Sequence, residues 1–97
     1  MSQPDLLLFF SDQHHAHYGG YAGHPVVETP NLDRIAENGT TFESAYTACP
    51  LCVPARSACL SGQLPSHTGI FTNVGALDQQ QATLLHSLGA SGYETVL

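Results

Sequence analysis

Pro50-Leu51-Cys52-Val53-Pro54-Ala55-Arg56-Ser57-Ala58-Cys59-Leu60-Ser61-Gly62 is the stretch from which the rest of the chain is best understood. Pro54 suits the first position of a helix, because its fixed φ fits and its missing N–H has no intrahelical partner there. Residues 55–60 are small or helix-compatible, and Gly62 stands where a C-terminal cap belongs. This predicts that Cys52 lies just outside the helix N-terminus, where unpaired N–H groups and the positive end of the dipole favour an anion. Arg56 comes four residues later, about one helical turn on, so its guanidinium reaches back toward Cys52. A polarised sulfur, free N–H groups and a fork-shaped cation suit a tetrahedral oxyanion. The plain alternative is a helix-start cysteine followed by a surface arginine, and five residues alone do not separate the two.

Upstream, Asp5-Leu6-Leu7-Leu8-Phe9-Phe10-Ser11-Asp12 is an apolar run that ends in polar residues. It lacks alternation, which predicts a strand covered on both faces, as in a parallel sheet. Asp12 then falls at the carboxyl end of that strand, where open α/β sheets place their ligands. Residues 13–27 are rich in Gly and His and read as a long loop of the kind that is often functional. Its histidines are of the right type for a transition metal, yet such a loop equally holds solvated or structural histidines, with His14 the nearest to Asp12. Thr29-Pro30-Asn31-Leu32-Asp33-Arg34-Ile35-Ala36-Glu37-Asn38-Gly39 predicts a short helix, with Thr29 as cap, Pro30 first and Gly39 closing it. Leu32, Ile35 and Ala36 form its apolar face.

Residues 40–46 alternate weakly and predict an extended segment, and residues 64–71 predict a loop. Thr83-Leu84-Leu85-His86-Ser87-Leu88-Gly89 has helical spacing, and Gly92 followed by Tyr93-Glu94-Thr95-Val96-Leu97 predicts a new strand. No internal repeat is visible.

Composition narrows the possible partners. The net charge is −6, with two arginines and no lysine, so no basic patch exists to release counterions from nucleic acid or to meet an anionic membrane. An apolar content of 42% argues against disorder. Three cysteines at 49, 52 and 59 cannot close a disulfide framework. Cys49-x-x-Cys52 is at most half of a zinc or redox site, since no second cysteine pair follows it. There is no basic leader, and the apolar run at 6–10 is too short for a signal segment or a membrane span. The expected location is cytoplasmic.

Cys52-x-Pro54-x-Arg56, followed by Leu60-Ser61-Gly62, resembles the signature of the type I sulfatases. Other matches keep the family's order. Asp12-Gln13 looks like the end of its first strand, and Thr29-Pro30-Asn31-Leu32-Asp33 is similar to its first helix start. Gly62-Gln63-Leu64-Pro65 with Gly69 follows its pattern, except that Gln63 replaces the usual arginine. Gly92-Tyr93 is similar to the start of a later strand. The resemblance implies an α/β fold, the N-terminal part of an alkaline-phosphatase-like mixed, mostly parallel sheet flanked by helices. Residues 1–97 would be the N-terminal portion of a catalytic domain, ending before the family's lysine and histidine segment.

The resemblance also implies sulfuric-ester hydrolysis. A formylglycine-generating maturation enzyme would convert Cys52 to formylglycine, and its hydrate would attack the sulfur of a sulfate ester on a small molecule or glycan. Arg56 would stabilise the hydrate's oxyanion. Asp12, Gln13 and the Cys52 position would be ligands of a divalent cation, Ca²⁺ before Mg²⁺ or Mn²⁺, since hard cations take oxygen donors. Gln13 lacks the charge of the second carboxylate found in the family's acidic-pair form. A related phosphonate or phosphodiester hydrolase is one alternative. A non-catalytic truncated fragment that keeps Cys52 as a thiol is the other.

Overall fold

A computed structural model describes residues 3–96. In chain order its elements are a 3-10 turn at Gly20–Ala22 and four helices, α1 (Pro30–Asn38), α2 (Cys52–Ser61), α3 (Pro65–Thr68) and α4 (Leu84–Ala90). They fall into two compact units, Met1–Ser44 and Ala45–Leu97. Among the described residues no strand forms, and no helix is long and apolar enough to cross a membrane.

In the first unit α1 begins with Pro30 after Thr29, as the sequence predicts, but the capping differs. The Thr29 hydroxyl makes no cap to the helix. It donates to Asp33 Oδ1 at 2.8 Å and accepts the Gly20 N–H at 2.9 Å. The same carboxylate oxygen accepts the Tyr21 N–H at 2.7 Å, so one side chain ties the 3-10 turn to the helix. Gly20 is required in this arrangement, because a Cβ there would collide with the Asp33 carboxylate. At the other end Gly39 is extended rather than left-handed (φ −129°, ψ −146°). The Asn38 side chain turns back on the helix and donates to the Arg34 carbonyl at 2.7 Å. Removing the carboxylate with Asp33→Ala should speed exchange of the Tyr21 amide roughly tenfold, as expected for losing about 1–2 kcal/mol of charge-assisted hydrogen bonding. Amide exchange measured by NMR checks this, and unchanged protection would show that the turn is held by other contacts.

The strand expected at residues 6–10 is not seen among the described residues. The segment is not paired in a ladder, and its side chains are exposed from 54% at Phe10 to 81% at Leu7, on both sides of the chain alike. A strand is completed by a ladder with neighbouring strands, and among the described residues no such strand lies beside it. The apolar face of α1 is similarly uncovered, with Ile35 61% exposed. Residues 40–46 are interrupted by a turn at 43–44.

In the second unit α2 packs against α3 and α4. Pro54, Ser57, Pro65 and Ile70 are its buried residues. Residues 65–68, expected as loop, form the single turn α3. Pro65 starts it, and Gly69 (φ 73°) closes it by donating its N–H to the Pro65 carbonyl at 2.8 Å. α4 opens on a capping box in which His86, at the third position, plays the part more often taken by Glu or Gln. Its Nδ1 accepts the Thr83 N–H at 3.2 Å. The strand expected from Tyr93 does not form among the described residues; the Tyr93 N–H donates instead to the Leu88 carbonyl at 3.1 Å, and Leu97 lies outside the described residues.

Candidate active site

Cys52 is the first residue of α2, with Leu51 as the N-cap, which corrects the prediction that it lies just outside the helix. The ladder starts at the Leu51 carbonyl, which accepts the Ala55 N–H at 2.9 Å. Pro54 is therefore the third residue of the helix. None of the first-turn N–H groups has an intrahelical partner, so a proline costs no hydrogen bond at that position either. Its ring is fully buried and pins the first turn to the unit.

The far end of α2 is fixed as well. Gly62 is left-handed (φ 68°) and donates to the Ala58 carbonyl at 2.9 Å, while the Ser61 hydroxyl donates to the Ser57 carbonyl at 2.6 Å. On this helix Cys52 and Arg56 are both exposed, and their spacing puts them on one face. Cys59, seven residues after Cys52, is exposed too, whereas Cys49 is half-buried in a turn closed by the Thr47 hydroxyl. All three cysteines are free thiols. The chain's other arginine, Arg34, donates to Asn31 of its own helix at 2.6 Å.

Sequence reasoning missed one participant. The Val53 N–H donates at 3.1 Å to Oδ1 of Asn73, a residue that the sequence reading does not single out. The available signal was Leu51. A leucine next to the first turn brings no capping oxygen, which leaves the first-turn N–H groups open to an acceptor from elsewhere.

In the first unit Asp12 and Gln13 are neighbours and exposed. Gln13 has φ 52°, in the left-handed region that a residue with a side chain adopts rarely. The loop histidines bond within the loop. His14 Nε2 donates to the Tyr18 carbonyl at 3.1 Å and lies 3.2 Å from the Tyr21 hydroxyl. His24 Nδ1 accepts the Val26 and Val27 N–H groups at 3.2 and 2.8 Å. Among the described residues no group of three or more His, Cys, Asp or Glu side chains is placed to hold a metal ion. A carboxylate and an amide are two of the about six to eight oxygens that Ca²⁺ takes. The described residues thus do not make up a cation site by themselves, and no chemical step is derived through one.

A cysteine and a cation one turn apart, exposed on a helix fixed at both ends, define a site suited to a tetrahedral anion. The comparisons with known proteins give the class. The sulfatase family model matches residues 4–97. Arylsulfatase A of Bos taurus is 40% identical over 102 residues, covering 97% of this chain and 20% of the relative. The ulvan-active sulfatase of Formosa agariphila is 34% identical over 94 residues, covering 97% and 18%. N-acetylgalactosamine-6-sulfatase of Sus scrofa is 50% identical over 70 residues, covering 72% and 13%. No solved structure matches the chain significantly.

The chain belongs to the sulfatase family. It spans about a fifth or less of the length of these relatives. Membership implies an alkaline-phosphatase-like fold, of which the described residues show helices, and a family chemistry that generally uses formylglycine and a divalent cation.

Proposed function

We propose that residues 1–97 are the N-terminal portion of the catalytic domain of a sulfuric-ester hydrolase, with Cys52 as the residue converted to formylglycine and Arg56 as its partner. The observation that carries this reading is the exposed Cys52–Arg56 pair on the pinned first turns of α2, inside a chain matched by the sulfatase family from residue 4 to 97. Cys52 is a free, exposed thiol at the start of a helix, which leaves it open to conversion by a maturation enzyme. After conversion its hydrate supplies the attacking oxygen. Arg56, always charged and planar, holds that oxygen and the developing anion in one geometry. Asp12, Gln13 and the Cys52 position contribute oxygen donors toward a divalent cation, Ca²⁺ first, which takes about six to eight in all.

The relatives' names cover an aryl sulfate, the polysaccharide ulvan and a sulfated amino sugar, so the substrate class is a sulfate ester on a small molecule or a glycan. In the complete enzyme residues 6–10 and 93–96 join a mostly parallel sheet. The two-sided exposure of the apolar run at 6–10 supports this, because it is what a strand covered on both faces looks like before it is covered.

The test is a turnover comparison with the complete enzyme, co-expressed with a formylglycine-generating enzyme and assayed on 4-nitrophenyl sulfate, a phosphonate monoester and a phosphodiester. Preference for the sulfate ester is expected. Preference for either phosphorus ester would assign the chain to the related hydrolases, and no turnover of any would oppose a catalytic reading.

A further inference from the structure

The helix that presents Cys52 is capped from a distance. Leu51, the N-cap residue, has no side-chain oxygen and makes no side-chain cap to the first turn. The acceptor is Asn73, twenty residues after Val53, whose Oδ1 takes the Val53 N–H at 3.1 Å.

The loop that delivers Asn73 is built for that purpose. Ile70, only 6% exposed, anchors its start in the unit. Gly75 returns to the same anchor, and a Cβ on it would lie 3.4 Å from Ile70 Cγ2. Between these points the Thr72 hydroxyl accepts the Val74 N–H at 3.3 Å and donates to the Val74 carbonyl at 3.4 Å, bending the chain around Asn73. Val74 is 93% exposed, so the bend is set by hydrogen bonds and not by packing of its tip.

We propose that Asn73 is a positioning residue for Cys52, acting by capping the second residue of α2 and so holding the first turn that carries the nucleophile. The proposal rests on the reading of Cys52 as the formylglycine precursor. Helix ends fray, and an uncapped first turn would let the Cys52 position drift relative to Arg56, one turn further along. A misplacement of about 1 Å at a reacting centre costs up to roughly a hundredfold in rate. An amide suits this place because it offers a carbonyl acceptor without charge. A carboxylate would cap equally well but oppose an incoming sulfate.

The complete enzyme, matured with a formylglycine-generating enzyme, provides the test through Asn73→Leu and Asn73→Asp. Peptide mass spectrometry measures conversion of Cys52, kinetics on 4-nitrophenyl sulfate are expressed per converted residue, and hydrogen exchange is followed in the peptide containing Val53. Asn73→Leu should lower kcat about tenfold with KM within about twofold, the pattern of a lost transition-state geometry. Val53 should exchange about tenfold faster in that variant, which is the signature of the lost cap. Asn73→Asp keeps the acceptor, so it should recover kcat to within about threefold and retain the protection, with its added charge appearing in KM.

Parental kcat in Asn73→Leu, unchanged exchange at Val53, or a kcat in Asn73→Asp as low as in Asn73→Leu would each overturn the proposal. Conversion without turnover in the parent enzyme would instead overturn the functional reading, and exchange at Val53 would then decide the cap alone.

Discussion

Cys52→Ala should abolish sulfate-ester hydrolysis in the complete, matured enzyme, lowering kcat by roughly four orders of magnitude or more, as losing a covalent nucleophile does elsewhere. The fold should not suffer. Cys52 is an exposed, free thiol, and alanine is the best helix former at such a position. The buried Pro54 ring and the Asn73 bond to the Val53 N–H both hold the first turn, and the substitution leaves both in place. The measurement is turnover of 4-nitrophenyl sulfate beside the thermal unfolding midpoint of the same preparation. Alanine variants of Cys49 and Cys59 are the controls. Cys59 shares the exposed face of α2 and Cys49 lies before the helix, yet neither stands at its first position. Both variants should keep activity within a few-fold. Retained turnover in Cys52→Ala would remove the nucleophile from the proposed mechanism.

Arg56→Lys is expected to be the second most damaging change, lowering kcat about a hundredfold while leaving the unfolding midpoint nearly unaltered. Lysine preserves the positive charge and the helix, so a purely electrostatic or structural role would survive the change. The planar fork is lost, and with it the ability to hold two oxygens at once in a fixed geometry. The exposed position of Arg56 on α2 means that little packing is disturbed. Steady-state kinetics should place the loss in kcat more than in KM, as expected for an interaction that strengthens in the transition state. Near-normal turnover would make Arg56 an ordinary surface residue of the helix.

The parts of this chain that could be read from sequence are those whose cause is local. Pro30 and Gly62 mark helix ends by their own backbone preferences, and both stand where those preferences put them. Local preference has its own margin of error. Pro54 is allowed anywhere in a first turn, so it signalled the helix but placed its start two residues late. Pro65 followed by Gly69 carried the same punctuation, and was passed over because a single turn leaves no apolar period to notice.

What could not be read depends on partners distant in the chain. Asn73 looks like any loop asparagine until the tertiary structure brings it to Val53. Asp33 looks like a first-turn carboxylate of α1, and only the folded loop shows it gathering Thr29 and Tyr21. The apolar run at 6–10 has the pattern of a two-faced strand, but pattern gives only the demand for cover. The ladder has to be supplied by other strands. The pairing of Cys52 with Arg56 was legible because both the spacing and the helix that enforces it lie within thirteen residues of sequence.

The central claim, that Cys52 is the residue this family's chemistry is built on, is tested most directly by peptide mass spectrometry of the protein co-expressed with a formylglycine-generating enzyme. The peptide containing Cys52 should carry an aldehyde in place of the CH₂–SH group, seen as the corresponding loss of mass and trapped by a hydrazide probe, with Cys49 and Cys59 still alkylated as thiols. An unmodified Cys52 thiol beside a maturation enzyme shown to be active on another sulfatase would contradict the account.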